Sequence, residues 1–136
     1  MVQRRPDRTL GSGHDQFWET CGKGELRLQR CVNCSNLAWP VVATCEYCGS
    51  AEFGWALMSG RGKVIGWCTF ERDYYAGTLP IPWDTILVEL EEGPLFISNP
   101  KDFSWKDIEP GMPVKLAFVE CEDQAGTFKL PVFERA

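Results

Sequence analysis

Four of the seven cysteines in this chain of 136 residues form two Cys-x-x-Cys pairs. Cys31 and Cys34 make the first pair, and Cys45 and Cys48 make the second. Each pair can direct two sulfur atoms at one ion, and two facing pairs complete a tetrahedral four-thiolate site. Such a closed shell leaves no position for water or substrate, so the pattern predicts a structural Zn²⁺ site without catalytic activity. Four thiolates also suit iron, and the spacing does not separate the two metals.

Two other interpretations of these cysteines stay open. They are four reduced, buried thiols without a metal, or a redox-active pair, which is disfavoured because neither pair adjoins a βαβ pattern. Gly49 follows the second pair and suits the left-handed backbone that cysteine turns often need. Ser35 and Asn36 follow the first pair, and asparagine tolerates that conformation better than most residues.

The other reactive residue types are few and scattered. Cys68 lies within a predicted strand and Cys121 ends another, so both are expected in the core or at a sheet edge. Cys21, beside a predicted helix, is the remaining candidate for a reactive thiol. His14 is the only histidine, and no Ser-His-Asp or Cys-His arrangement can be assembled around it. These residues predict that the chain is not itself an enzyme.

Charge and hydropathy exclude further classes of protein. The net charge is −5, with +2 on residues 1–13 and −7 on the remainder. An acidic body suits a phosphate backbone poorly, so nucleic acid is a disfavoured partner. No apolar run approaches the roughly 18 residues of a membrane span. The basic N-terminal residues are not followed by an apolar stretch, and an odd number of cysteines suits a reducing compartment, so we expect a cytoplasmic protein.

Periodicity and turn residues divide the chain into four predicted parts, and the predicted class is mainly β. Residues 1–13 are rich in arginine and glycine and indicate a flexible arm. Residues 14–25 hold a short helix with Asp15 as its N-cap. Residues 26–56 form the zinc ribbon, and residues 57–136 form a barrel.

The barrel is predicted from the strands that follow residue 56. About five strands with short turns are expected there, and no long helix. Alternation over residues 86–98, interrupted by Glu92-Gly93-Pro94, predicts a hairpin. Residues 74–84 contain two prolines and are predicted to be a loop. Five short strands of this kind are typical of a small Greek-key barrel such as an OB-fold.

The order of these features resembles a known family. An aromatic "FW" helix, "GELRLQRC", the cysteine ribbon, "SGRGKVIGWCTFER", a proline-rich loop, "ILVELEEGP", "PGMPVKLAF" and "LPVF" follow one another. This series is similar to the acyl-CoA-associated family that joins a rubredoxin-like zinc ribbon to an OB-fold, and it covers about residues 14 to 135. Many relatives lack the cysteines. Because this chain keeps all four, the resemblance implies metal binding by Cys31, Cys34, Cys45 and Cys48.

The resemblance also implies a function. It implies a non-catalytic accessory subunit of a thiolase-type acyl-CoA enzyme, which helps to form or stabilise the acyl-CoA site. The implied partner is a thiolase-fold subunit in a hetero-oligomer, and the implied ligand of the complex is a coenzyme A thioester. The preferred reaction is thiolysis of an aromatic or branched β-oxoacyl-CoA. The alternatives are a stand-alone acyl-CoA-binding protein and a module that binds single-stranded nucleic acid.

Aromatic residues outside the predicted elements mark candidate contacts. Six tryptophans exceed what one small core needs, and tryptophan and tyrosine are enriched at interfaces. Trp18, Trp83 and Trp105 are expected either to project into a partner or to cover the junction of ribbon and barrel. The stretch "ERDYYAGTLPIPWD" combines a cation with aromatic rings, which suits the phosphates and adenine of coenzyme A, although it also suits a simple surface loop. The candidate contacts with coenzyme A or a partner are Arg72, Tyr74, Tyr75, Trp83 and Trp18.

Overall fold

The computed structural model describes residues 2–136, and over this range it contains one short helix, nine strands and one 3-10 turn. In chain order the elements are β1 (Gln3–Arg4), α1 (His14–Gly22), β2 (Arg27–Cys31), β3 (Leu37–Ala38), β4 (Phe53–Leu57), β5 (Arg61–Phe70), β6 (Trp83–Leu90), β7 (Leu95–Ser98), the 3-10 turn (Trp105–Asp107), β8 (Pro113–Asp123) and β9 (Gly126–Arg135). The mainly β class predicted from the sequence is confirmed.

The cysteine pairs lie on a small antiparallel sheet with the strand order β3-β2-β4. Strand β2 is central: Arg30 lies opposite Leu37 on β3, and Cys31 lies opposite Phe53 on β4. Cys31 ends β2, so the first metal-ligating turn grows directly out of the middle strand of this sheet.

The larger sheet forms the barrel, and β8 is its organising strand. Along one edge β8 pairs with β9 over its whole length. Along the other edge it pairs antiparallel with β5 near Pro113 and parallel with β1 near Cys121. Strands β5, β6 and β7 continue the sheet as antiparallel neighbours. A bridge between Pro100, just after β7, and Phe133 on β9 joins the two ends of the sheet.

Helix, ribbon and barrel share one hydrophobic core. Phe17 and Cys21 come from α1, and Leu28 comes from the ribbon strand β2. These side chains pack with barrel residues that are equally buried, among them Val64, Ile86, Val88, Val114 and Phe133. The ribbon and the barrel are therefore two sheets joined by packing.

The N-terminal segment differs from its prediction. The sequence indicated a flexible arm over residues 1–13, but β1 extends the barrel sheet, and the Arg5 backbone N–H donates to Glu122 O at 3.0 Å. Arg8 also reaches Asp123, with its Nε 2.8 Å from Oδ2. The segment is held because its arginines meet consecutive carboxylates at the end of β8.

The start of α1 also differs from its prediction. Gly13, with φ of 82°, occupies the N-cap position that the sequence assigned to Asp15. The backbone N–H of Gly13 donates to Gln16 Oε1 at 2.8 Å. The Asp15 carboxylate accepts from the Gly11 N–H at 2.9 Å, so it serves the turn that precedes the helix.

Candidate metal centre and aromatic cavity

The four paired cysteines converge on one point. Their sulfur atoms all lie within 4.8 Å of one another. Cys31 Sγ and Cys48 Sγ are 3.5 Å apart, as are Cys34 Sγ and Cys45 Sγ. A zinc ion bound to sulfur at about 2.3 Å requires sulfur–sulfur distances of about 3.8 Å in a tetrahedron. The four thiols therefore fit a tetrahedral Zn²⁺ ion.

Two matching backbone turns position the sulfur atoms. In the first turn the Ser35 N–H donates to Cys31 O at 2.9 Å, and in the second the Gly49 N–H donates to Cys45 O at 2.8 Å. Ser35 and Gly49 both have left-handed backbones, with φ of 66° and 79°. The first turn thus uses serine, and not Asn36, for the conformation that glycine adopts in the second.

Hydrogen bonds and burial shift the pKa values of three of the metal-site thiols in different directions. The Asn33 side chain and the Ser50 backbone lower the pKa of Cys48 to about 6. Hydrogen bonds from Asn36 lower the pKa of Cys34. Burial raises the pKa of Cys45 to about 11, so a bound cation must displace a proton from this buried thiol.

Gln29 fixes the chain between the two cysteine pairs. Its side chain is 6% exposed and makes two hydrogen bonds to one residue of the connecting loop. The Val42 N–H donates to Gln29 Oε1 at 2.9 Å, and Gln29 Nε2 donates to Val42 O at 3.1 Å. This amide pairing holds the connecting loop against β2, which carries Cys31.

The other three cysteines lie apart from the metal centre. Cys21 and Cys121 are fully buried, and burial raises the pKa of Cys21 to about 12. Cys21 is therefore a core residue and not a reactive thiol. Cys68 is exposed on β5, and all seven cysteines are free of disulfide bonds.

The predicted contact residues fall into two groups. Arg72, Tyr74 and Tyr75 lie on the exposed connection between β5 and β6, where Tyr74 is 64% exposed. Trp18 and Trp83 are partly buried. Arg72, Tyr74, Tyr75 and Trp83 line one small cleft. Trp18 instead lies with Tyr75 and Trp83 around a larger cavity. No single site holds all five, and their role stays a prediction.

Each of the two partly buried tryptophans has an intramolecular role. The Trp18 ring packs edge-on against Phe128, with centroids 5.3 Å apart, and its Nε1 donates to Thr9 O at 3.2 Å. The sequence predicted a loop at Trp83, but it is the first residue of β6, and the Arg5 guanidinium lies 5.1 Å from its ring centre. Trp105, in contrast, is 47% exposed at the 3-10 turn.

A cavity of about 570 Å³ lies where helix, ribbon and barrel meet. Its lining is predominantly apolar, includes seven aromatic side chains, and comes from all three units and the N-terminal segment. The aromatic side chains are Phe17 and Trp18 from α1, Trp39 from the ribbon, and Phe70, Tyr75, Trp83 and Phe96 from the barrel. Trp39 and Phe96 stack with centroids 4.9 Å apart. The cavity was not predicted from the sequence, since its walls are distant in the chain and look like ordinary core residues.

Arg5 is the charged member of this lining. The terminal nitrogen Nη1 of its guanidinium is buried and has no hydrogen-bond partner. Burial lowers the pKa of Arg5, although an arginine stays charged at neutral pH. The cavity thus combines apolar walls with one cation.

Four facing cysteines on a small sheet, joined by a shared core to a barrel sheet of six strands, define a zinc ribbon fused to an OB-fold. Residues 18–54 match the family model of the ChsH2 rubredoxin-like zinc ribbon domain, and residues 55–119 match that of the ChsH2 C-terminal OB-fold domain. The chain belongs to this ChsH2 family, which confirms the resemblance noted from the sequence.

Individual relatives agree with this assignment. A chain of the Ltp2-ChsH2(DUF35) aldolase has a TM-score of 0.83 and 29% identity, and the match covers 95% of this chain and 98% of that one. A probable enoyl-CoA hydratase alpha subunit of Thermomonospora curvata is 29% identical over 97% of this chain and 40% of its own length. A DUF35 domain-containing scaffold protein of Pyrococcus furiosus is 33% identical over 64% of this chain and 63% of its own length. The chain thus spans less than two thirds of both curated relatives.

Within residues 2–136, no helix has the length and apolar character needed to cross a bilayer. The longest stretch of α-helix described is the nine-residue α1.

Proposed function

We propose that the chain is a non-catalytic, zinc-bearing accessory subunit of an enzyme that acts on acyl-CoA. The observation that carries this proposal is the structural match, over nearly the full length of both chains, to a chain of the Ltp2-ChsH2(DUF35) aldolase. The name of the Pyrococcus furiosus relative, a scaffold protein, supports a role without chemistry of its own. The buried state of Cys21 agrees with that role, since a thiol with a pKa of about 12 is a poor nucleophile.

The partner in this proposal is a thiolase-fold subunit, and the complex handles a coenzyme A thioester. The preferred reaction is thiolysis of an aromatic or branched β-oxoacyl-CoA. Seven free thiols, four of them suited to zinc, favour the reducing cytoplasm as the place of action. A hydratase partner is the alternative, because one relative is named as a probable enoyl-CoA hydratase alpha subunit.

The surface proposed to contact the partner or coenzyme A is the connection between β5 and β6. Tyr74 and Tyr75 are 64% and 51% exposed, and Arg72 beside them is exposed as well. Exposed tyrosine and arginine are the residue types that dominate interface energetics. In this proposal Trp83 supports this connection from the first position of β6. Trp18 anchors α1, which forms part of the cavity wall.

Co-purification tests the proposal directly. The tagged chain is expressed in its native cells, captured, and its partners are identified by mass spectrometry. Recovery of a thiolase-fold subunit is expected, and the recovered complex should turn over acyl-CoA whereas the isolated chain should not. Turnover by the isolated chain would contradict the accessory role, and recovery of a hydratase subunit would replace the proposed partner.

Calorimetry with a CoA thioester separates the accessory subunit from a stand-alone acyl-CoA-binding protein. We expect binding of the thioester by the complex that is much tighter than binding by the isolated chain. Equal affinity in the two experiments would favour the stand-alone binding protein.

A further inference from the structure

We propose that the aromatic cavity is a binding site, within this chain alone, for a small carboxylate with an apolar body, and that Arg5 pairs with the carboxylate. This inference goes beyond the accessory role because it requires no partner subunit. The ligand class is a monocarboxylate with a hydrocarbon chain or aromatic ring, bound as the free carboxylate anion and not as a thioester.

The three arginines of the N-terminal segment differ in their ion pairing. Arg4 Nη1 lies 2.9 Å from Glu122 Oε1, and Arg8 Nε lies 2.8 Å from Asp123 Oδ2. Arg5 lies between them in sequence, yet within residues 2–136 it enters no ion pair, and its side chain points into the cavity. Glu122 and Asp123 therefore pair with Arg4 and Arg8. The charge of Arg5 stays available for a ligand.

The position of the guanidinium is fixed before any ligand binds. The Arg5 backbone N–H is held by Glu122 O at 3.0 Å, and the guanidinium rests 5.1 Å from the ring centre of Trp83. A buried charged donor without a partner destabilises the fold more than a neutral one does. Arg5 lines the cavity, so a carboxylate bound beside it offsets this cost through its charge, and the site favours an anion over a neutral molecule of the same shape.

The remainder of the cavity requires an apolar body. No aspartate or glutamate is among the described residues that line it, and Arg5 is its only permanently charged side chain. Two of its polar side chains are already bonded, because Ser98 Oγ donates to Pro131 O and Asn99 Nδ2 donates to Asp84 O. One cation in apolar walls balances one negative charge, so a monoanion fits better than a phosphate dianion.

The size and entrance of the cavity also suit a small molecule. Its volume of about 570 Å³ lies within the roughly 300–1,000 Å³ of typical ligand pockets. Tyr75 and Ile97, which also line it, are 51% and 70% exposed, so the cavity opens to solvent beside them. An acidic peptide segment of a partner could supply the same carboxylate, and the test below distinguishes the two.

The test uses a matched pair of fluorescent probes on the isolated, zinc-loaded chain. The probes are 8-anilinonaphthalene-1-sulfonate, a monoanion, and N-phenyl-1-naphthylamine, which has the same rings without the charge. We expect one sulfonate per chain, bound about tenfold or more tightly than the uncharged probe, as one charged hydrogen bond implies. Decanoate should displace the sulfonate, and decanol should not.

Substitutions then assign the selectivity to Arg5. Arg5→Gln should weaken binding of the sulfonate by about tenfold or more and leave the uncharged probe within about twofold. Arg5→Lys should retain part of the preference for the anion. Arg4→Gln is the matched control, since Arg4 is exposed and paired outside the cavity, and it should change neither affinity.

Three results would overturn the proposal. They are equal affinity for the two probes, an Arg5→Gln variant that binds the sulfonate like the parent chain, or no binding by the isolated chain. If the isolated chain binds no probe and the cavity is protected from solvent in the co-purified complex, the site would be assigned to a partner segment. None of these results bears on co-purification, so the two proposals fail separately.

Discussion

Arg8 and Asp123 lie 115 positions apart and form an ion pair with two contacts: Nε is 2.8 Å from Oδ2, and Nη2 is 3.2 Å from Oδ1. The two side chains are 11% and 1% exposed. The Arg8 backbone N–H also donates to Asp123 Oδ2 at 3.1 Å, and the guanidinium lies 4.1 Å from the ring centre of Phe128. The pair fastens the N-terminal segment to the turn between β8 and β9.

This pair predicts a dependence of stability on acid pH. The hydrogen bonds from Arg8 lower the pKa of Asp123 from 3.8 to about 2. Because the folded pKa is depressed, the contribution is fully present above about pH 4 and is lost as the pH falls through about 2. We expect Asp123→Asn to lose about 2 kcal/mol or more of unfolding free energy at pH 7. Between pH 4 and pH 2 its stability should fall less than that of the parent chain.

Urea denaturation at several pH values measures this effect, and Glu122→Gln is the matched control. Glu122 is 44% exposed in its pair with Arg4, so its loss should cost less than about 1 kcal/mol. Both variants keep all four metal ligands, so acid release of zinc affects them alike. Equal stability of the two variants at pH 7 would contradict the assigned role of Asp123.

The metal centre predicts that a cysteine substitution acts through folding and docking. Cys45 is 6% exposed, and Cys45→Ser replaces a thiolate by a poor zinc ligand inside the ribbon. We expect zinc affinity to fall more than about a hundredfold, beyond the usual 10–100-fold effect of changing an outer-shell residue. The ribbon should loosen, and the activity of the reconstituted complex should fall because the subunit docks poorly.

Zinc per chain, measured by elemental analysis before and after treatment with a chelator, checks this prediction. Cys68→Ser is the control, because Cys68 is exposed on β5 away from the metal centre, and it should retain one zinc. An intact complex with unchanged stability in the Cys45→Ser variant would show that the metal does not support docking.

Gly62 lies where β5 pairs with β6, and the space beside it predicts that a side chain there is destabilising. A Cβ on Gly62 would lie 2.7 Å from Glu89 O and 2.7 Å from Val88 Cγ1, and the first of these is backbone that cannot move alone. Gly62→Ala should therefore cost about 1–3 kcal/mol. Gly54→Ala is the control on β4, where a Cβ meets nothing within 4 Å, and its free energy of unfolding should stay within about 0.5 kcal/mol. Thermal or urea unfolding of both variants compares them, and equal stability would rule out the contact.

The connection between β5 and β6 predicts where binding of the partner is most sensitive. Tyr74, at 64% exposure, has a matched control in Tyr47, at 66% exposure, which lies on the second cysteine turn. Tyr74→Ala should weaken association with the co-purified partner by about 1–2 kcal/mol, and Tyr47→Ala should leave it unchanged. Titration of the purified subunits measures both, and a larger effect at Tyr47 would move the contact to the ribbon.

Local patterns carried the correct predictions from the sequence. The spacing of Cys31, Cys34, Cys45 and Cys48 requires only short turns, and alternation between residues 86 and 98 reports a hairpin whose strands are adjacent. These features depend on neighbours in the chain, so no tertiary information was needed for the metal site or for the β6–β7 hairpin.

Long-range pairing explains what was missed. Arg5 and Arg8 look like parts of a mobile tail because their partners at Glu122 and Asp123 lie more than a hundred positions away. The cavity was hidden for the same reason, since Phe17 and Phe96 meet only after three units have packed together. Arg72, Tyr74 and Tyr75 remain predicted contacts.

The shared core has a consequence for how such proteins diversify. Leu28 on the ribbon strand and Val64 on the barrel are both fully buried in the same cluster. Each of the two sheets therefore has an apolar face that the other sheet covers. A recombination event that exchanged only one of the two sheets would expose apolar area on both products. We expect gene fusion and shuffling to transfer ribbon and barrel together as one inherited cassette, with variation confined to the exposed connections.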